Sequence, residues 1–103
     1  MAILIKADGH ICEIQPKNKK WFTLEELQKL VGGYIEYCDT LDPTMNMVIN
    51  EEGKLNGSQY NKVATAFYRY SRVVMDGQAF IDPIMGDVVI GKREQMDAPH
   101  DAA

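Results

Sequence analysis

Cysteine is scarce in this chain: only Cys12 and Cys38 occur in 103 residues. A small secreted domain usually leans on several disulfides, so that scarcity points toward a reducing compartment. Neither cysteine sits in a Cys-x-x-Cys pair. His10 and Cys12 could share one face of a strand, but zinc needs further ligands and the second histidine, His100, lies in a polar tail. No metal site is expected. Long apolar runs are also missing, whereas a membrane-spanning helix needs about 20 such residues. The opening Met1-Ala2-Ile3-Leu4-Ile5-Lys6 has neither the basic start nor the cleavage site of a secretory signal. A cytoplasmic protein without membrane association is the expectation.

A basic excess is absent too. Eleven Lys and Arg stand against fifteen Asp and Glu, a net charge of −4, which disfavours a dedicated DNA binder. What is present is ordinary globular composition, 46% hydrophobic and 25% charged, which excludes intrinsic disorder and collagen-like or coiled-coil chains. The length suits one domain.

Ala2 to Ala7 is apolar and rich in β-formers, and Asp8-Gly9 signals a two-residue hairpin turn leading into a second strand that Pro16 ends. Thr23-Leu24-Glu25-Glu26 matches a capping box, and Phe22 with Leu27 completes a hydrophobic staple. Leu24, Leu27, Leu30 and Val31 form an apolar stripe, and Gly32-Gly33 follows where a left-handed residue would end the helix. The pattern predicts a helix over Leu24 to Val31. Tyr34 to Cys38 and Met45 to Ile49 read as strands, separated by a loop containing Asp42-Pro43. Asn61 is placed to cap a second helix running to about Val74, with Val63, Phe67, Tyr70 and Val74 at helical spacing as its core stripe. Phe80-Ile81 and Val88-Val89-Ile90 are β-like. The order is approximately ββαββαβ, an α+β domain over residues 1–91 with two short helices on one face of a mostly antiparallel sheet. Residues 92–103 read as a flexible polar tail. Exposed edge strands make a homodimer or higher homo-oligomer the expected assembly.

Enzyme signatures are missing: no Gly-x-Ser-x-Gly, no Walker loop, no His-Glu-x-x-His and no cysteine–histidine dyad. Glu25-Glu26 and Glu51-Glu52 are adjacent acids, but neighbours on a helix do not face one another, and Glu26 has a capping role. No catalytic residue and no cofactor are assigned. Gly32-Gly33 follows a helix, whereas a phosphate loop precedes one, so it reads as a C-cap. Asn50-Glu51-Glu52-Gly53-Lys54 lacks the alternating oxygen ligands of a calcium loop and reads as a polar turn. It stays in view because turns carry function more often than cores do. Tyr68, Arg69, Tyr70 and Arg72 mix aromatic and basic groups near Asn61, a pattern that can stack a base and meet a phosphate; helical spacing alone explains it as well.

Phe22-Thr23-Leu24-Glu25-Glu26-Leu27-Gln28-Lys29-Leu30-Val31-Gly32-Gly33-Tyr34-Ile35-Glu36 resembles the signature of a small domain-of-unknown-function family. So do Asn50 to Gly57, Asn61 with Ala64-Thr65, and Gly86-Asp87-Val88-Val89-Ile90, with Ser58-Gln59-Tyr60 standing where members often carry Leu-Pro. Members of that family occur in phages, prophages, conjugative elements and gut bacteria, and the resemblance covers roughly Met1 to Gly91. It implies an accessory protein of a mobile element and supplies no reaction. The resulting expectation is a non-enzymatic binding protein, in counter-defence, that sequesters a small anionic, nucleotide-like ligand through Tyr34, Asn50, Glu51, Lys54, Asn61 and Arg69. The alternative is a protein–protein adaptor or inhibitor that docks on a host enzyme through an edge strand or its acidic surface.

Overall fold

A computed structural model describes residues 2–53 and 57–96. Strands β1 (Ala2–Ile5) and β2 (Ile11–Ile14) form the first hairpin, with Ile5 opposite Ile11. The Lys6 N–H donates to the His10 carbonyl at 2.8 Å, so the loop is Ala7-Asp8-Gly9 rather than Asp8-Gly9 alone. Gly9 takes the left-handed conformation, φ 101°, that such a loop requires.

Helix α1 (Leu24–Val31) is built as its sequence dictates. Thr23 Oγ1 accepts from the Glu26 N–H at 3.2 Å, and Glu26 Oε1 accepts from the Thr23 N–H at 3.1 Å. Phe22 and Leu27 are both buried, Leu24 of the expected stripe is exposed because it sits in the first turn on the solvent side, and Gly32 closes the helix at φ 86°. Strands β3 (Ile35–Asp39) and β4 (Met45–Asn50) follow, then helix α2 (Lys62–Asp76), strand β5 (Val88–Lys92) and a last turn α3 (Arg93–Met96). The ordered domain therefore runs past the expected boundary at Gly91: Lys92 still pairs with Met45, and Met96 is in the core. Phe80-Ile81 is not a strand; it belongs to the irregular segment between α2 and β5.

The five strands form one sheet in the order β2-β1-β5-β4-β3, with every ladder antiparallel. The α+β class and the antiparallel sheet follow the sequence pattern. The helices, however, lie on opposite faces rather than on one. Val89 and Val48 pack with Phe22, Leu27, Val31 and Met96 on the α1 side, while Val88, Ile90 and Met47 pack with Ala64 and Ile84 on the α2 side. The reason is visible in β5, where Val88, Val89 and Ile90 are all buried, so this central strand needs cover on both faces.

Helix α2 departs further. Its sheet-facing side buries Ala64, Thr65 and Ser71, with Phe67 and Tyr68 half-buried against the core beside them. The expected core stripe points largely to solvent: Tyr70 is 61% exposed and Val74 55%, with Val63 exposed and Phe67 half-buried. Hydrogen bonds hold the helix in place. Asn61, 0% exposed, accepts the Ala64 N–H at 3.0 Å and donates to the carbonyls of Ile5 and Gly86, both at 2.9 Å. Thr65 Oγ1 donates to the Asn61 carbonyl at 2.7 Å and accepts the Ile84 N–H at 2.9 Å.

Candidate functional site

The α2 side of the sheet carries an open groove of about 530 Å³ beside the β3 edge. Its floor is Glu36 and Cys38 of β3 with Ile49 of β4; Tyr68 and Arg72 of α2 form one wall, and the segment from Gln78 to Met85 the other. Asn50, Glu51 and Gly53 close the end nearest the β4 turn. The far wall is fixed where it meets that turn. A Cβ on Gly53 would lie 2.8 Å from the Met85 carbonyl oxygen, so only glycine lets the two backbones approach this closely. Tyr60 bridges Met85, and the Gly86 N–H donates to Gln59.

The groove is acidic. Among the described residues, Glu36, Glu51 and Asp82 line it against the guanidinium of Arg72, which is itself paired with Asp76 one turn along the helix. Burial, with smaller contributions from nearby charges, raises two neutral acids on its floor and wall. Burial, reinforced by Glu36 and Asp39 and opposed by Arg72, pushes the Cys38 thiol up to about 11. Burial first, then the nearby Cys38, raises the Tyr68 phenol, again with Glu36 and Asp39 adding to it. Cys38 is therefore a thiol at neutral pH and a poor nucleophile.

The six residues expected to bind a ligand separate into three groups. Tyr34, Asn50 and Glu51 come together: the Glu51 N–H donates to the Tyr34 carbonyl at 2.8 Å, and Asn50 and Glu51 reach the groove. Asn50 is mostly structural, since its amide donates to the Val31 carbonyl at 3.1 Å and accepts the Glu52 N–H at 2.8 Å, forming the polar turn the sequence suggests. Asn61 is buried beneath α2, and its amide is occupied by backbone partners. Arg69 is exposed and does not line the groove; Lys54 lies outside the described residues. The groove instead uses Glu36, Tyr68, Arg72 and the Phe80–Met85 segment. Tyr68 and Arg72 carried a sequence signal, but choosing them over Arg69 and Tyr70 requires knowing which side of α2 faces inward.

Residues 1–98 match the family described as Domain of unknown function (DUF3846). The chain belongs to that family. Comparisons with curated proteins and with solved structures give no match. Among the described residues, no three His, Cys, Asp or Glu side chains converge as a metal site would require, and no helix is long and apolar enough to cross a membrane.

Proposed function

We propose that this protein is a non-enzymatic adaptor of a phage or other mobile element, and that it captures an extended, basic segment of a host protein in the groove beside β3. The observation that carries this reading is the coincidence of an acidic, half-apolar groove with a sheet edge. β3 is the last strand in the order, so among the described residues one side of its backbone has no ladder partner. An extended peptide can add there as a sixth strand, gaining main-chain hydrogen bonds while alternate side chains enter the groove. Ile49, Ile81 and Ile84 suit an apolar side chain, and Glu36 and Glu51 suit a Lys or Arg beside it.

The test is capture of host proteins on the immobilised full chain, with Glu36→Lys and Glu51→Lys as groove variants and Lys29→Glu, on α1, as a control. A partner held by the wild type and by the control, and lost from both groove variants, supports the adaptor. A partner held equally by all four sinks it. The second reading, sequestration of a small anionic nucleotide, draws its support from Arg72 and Tyr68, a guanidinium beside an aromatic ring. Thermal stabilisation by a nucleotide, abolished by Arg72→Ala, would move the assignment there.

A further inference from the structure

We propose that the protein forms a two-fold dimer in which α2 packs antiparallel against α2 of a second copy. The proposal concerns the flank of α2 turned away from the groove and stands independently of it. That flank is an uncharged apolar seam about three turns long. Val63, Tyr70, Val73 and Val74 on it are each between 39% and 61% exposed, and Ala66 is exposed between them. Scattered exposed hydrophobics are normal, but a continuous seam along a whole helix marks an interface. Val63 and Tyr70 repeat at seven residues, as do Ala66 and Val73, which is the spacing by which two helices interlock side chains.

Charge identifies the occupant. α2 has no acidic residue in its first turn and no basic residue in its last; instead Lys62 stands at the start and Asp76 at the end. Both oppose the dipole of their own helix. An antiparallel copy reverses the sign of that disadvantage, because it lays a C-terminus beside each N-terminus. Lys62, Arg69 and Asp76 are themselves seven apart and share one flank of the seam. A two-fold axis at Arg69 then brings each Lys62 to the partner's Asp76, where it joins the Arg72 already paired with that carboxylate on its own helix, and the surface complements itself as a two-fold interface must. The same axis sets Arg69 beside the partner's Arg69, a like-charge contact whose relief is measurable.

Sedimentation velocity on the full chain at high micromolar concentration tests this, with circular dichroism confirming that each variant is folded. The wild type is expected to be a dimer, and Tyr70→Glu and Val74→Lys monomers with unchanged spectra, since both positions are exposed. Lys62→Glu is expected to weaken the dimer roughly fivefold by removing two exposed ion pairs. Adding Asp76→Lys should restore it, and Arg69→Ser should tighten it. A monomeric wild type overturns the proposal. So does a dimer that survives both seam variants, or one lost on Ile11→Lys at the β2 edge while Tyr70→Glu leaves it intact. A dimer broken by Tyr70→Glu but indifferent to Lys62→Glu, or loosened by Arg69→Ser, overturns the antiparallel register.

Discussion

The two main helices begin and end by the same devices and are held by opposite ones. Each has a side-chain N-cap, Thr23 or Asn61, and each closes on a left-handed glycine, Gly32 or Gly77. α1 turns Leu27 and Val31 into the core and carries Glu25 and Glu26 at its start with Lys29 at its end, as its dipole prefers. α2 turns Ala64, Thr65 and Ser71 inward with Phe67 half-buried beside them, leaves Val63, Tyr70, Val73 and Val74 outside, and carries its terminal charges reversed. In α1, the cap, the staple and the terminal charges all agree with the tertiary position, and Leu24 alone of the expected stripe is exposed. α2 leans on buried hydrogen bonds, and most of its apolar periodicity faces outward.

Core deletions should separate the two most widely. Leu27, wholly buried between Phe22 and the sheet, is expected to cost about 4 kcal/mol as Leu27→Ala in urea unfolding. A loss below about 1 kcal/mol would mean that α1 is not anchored by burial. Asn61→Ala comes next, at about 3 kcal/mol, because it removes a cap and leaves the carbonyls of Ile5 and Gly86 without their donor. If Asn61→Ala costs no more than an exposed cap, the view of α2 as hydrogen-bonded into place fails.

This contrast also explains what could be read from the sequence. Everything that starts and stops α1 lies within about a dozen residues, so the capping box, the staple and the terminal glycine were each visible as spacing. The cap of α2 was visible too. Its phase was not, because the groups that set it are remote: the Ile5 carbonyl lies 56 residues before Asn61, and the Ile84 N–H lies 19 residues after Thr65. Apolar periodicity alone placed Tyr70 and Val74 in the core and so pointed to the wrong flank. The groove was illegible for a related reason. Glu36, Arg72 and Ile81 come from three segments that sequence spacing does not connect, whereas Tyr34 and Glu51 met because β3 and β4 pair where their patterns suggested. The doubly buried β5 was the clearest missed hint: three consecutive β-branched residues are ill-suited to a sheet with one solvated face.

Acid should act on α1 through its cap. Burial tends to raise the Glu26 carboxyl, but bonds from the Thr23 and Lys17 N–H groups and the Thr23 hydroxyl outweigh it and hold the group below its ordinary value. Its contribution is therefore present above the ordinary carboxylate range, about 4.3, and is lost as pH falls through and below that range. Thr23→Ala is expected to cost about 1 kcal/mol at pH 7. In a Glu26→Gln variant, the stability difference from wild type should shrink between about pH 5 and pH 3. α2, with no acid in its first turn, has no counterpart to this titration.

The smallest expected effect is the most informative about α2. Val74→Ser, measured in the Tyr70→Glu background so that association cannot contribute, should change stability by less than about 0.5 kcal/mol, as exposed substitutions do. Leu30, half-buried against the core, provides the matched test in α1, where Leu30→Ser should cost at least about 1.5 kcal/mol. The two substitutions remove similar apolar groups from similar positions late in a helix. Only the second takes an apolar group from a surface that the chain itself covers. A cost for Val74→Ser approaching that of Leu30→Ser would show that the α2 seam is covered within one copy, and both the contrast between the helices and the need for a second copy would fall together.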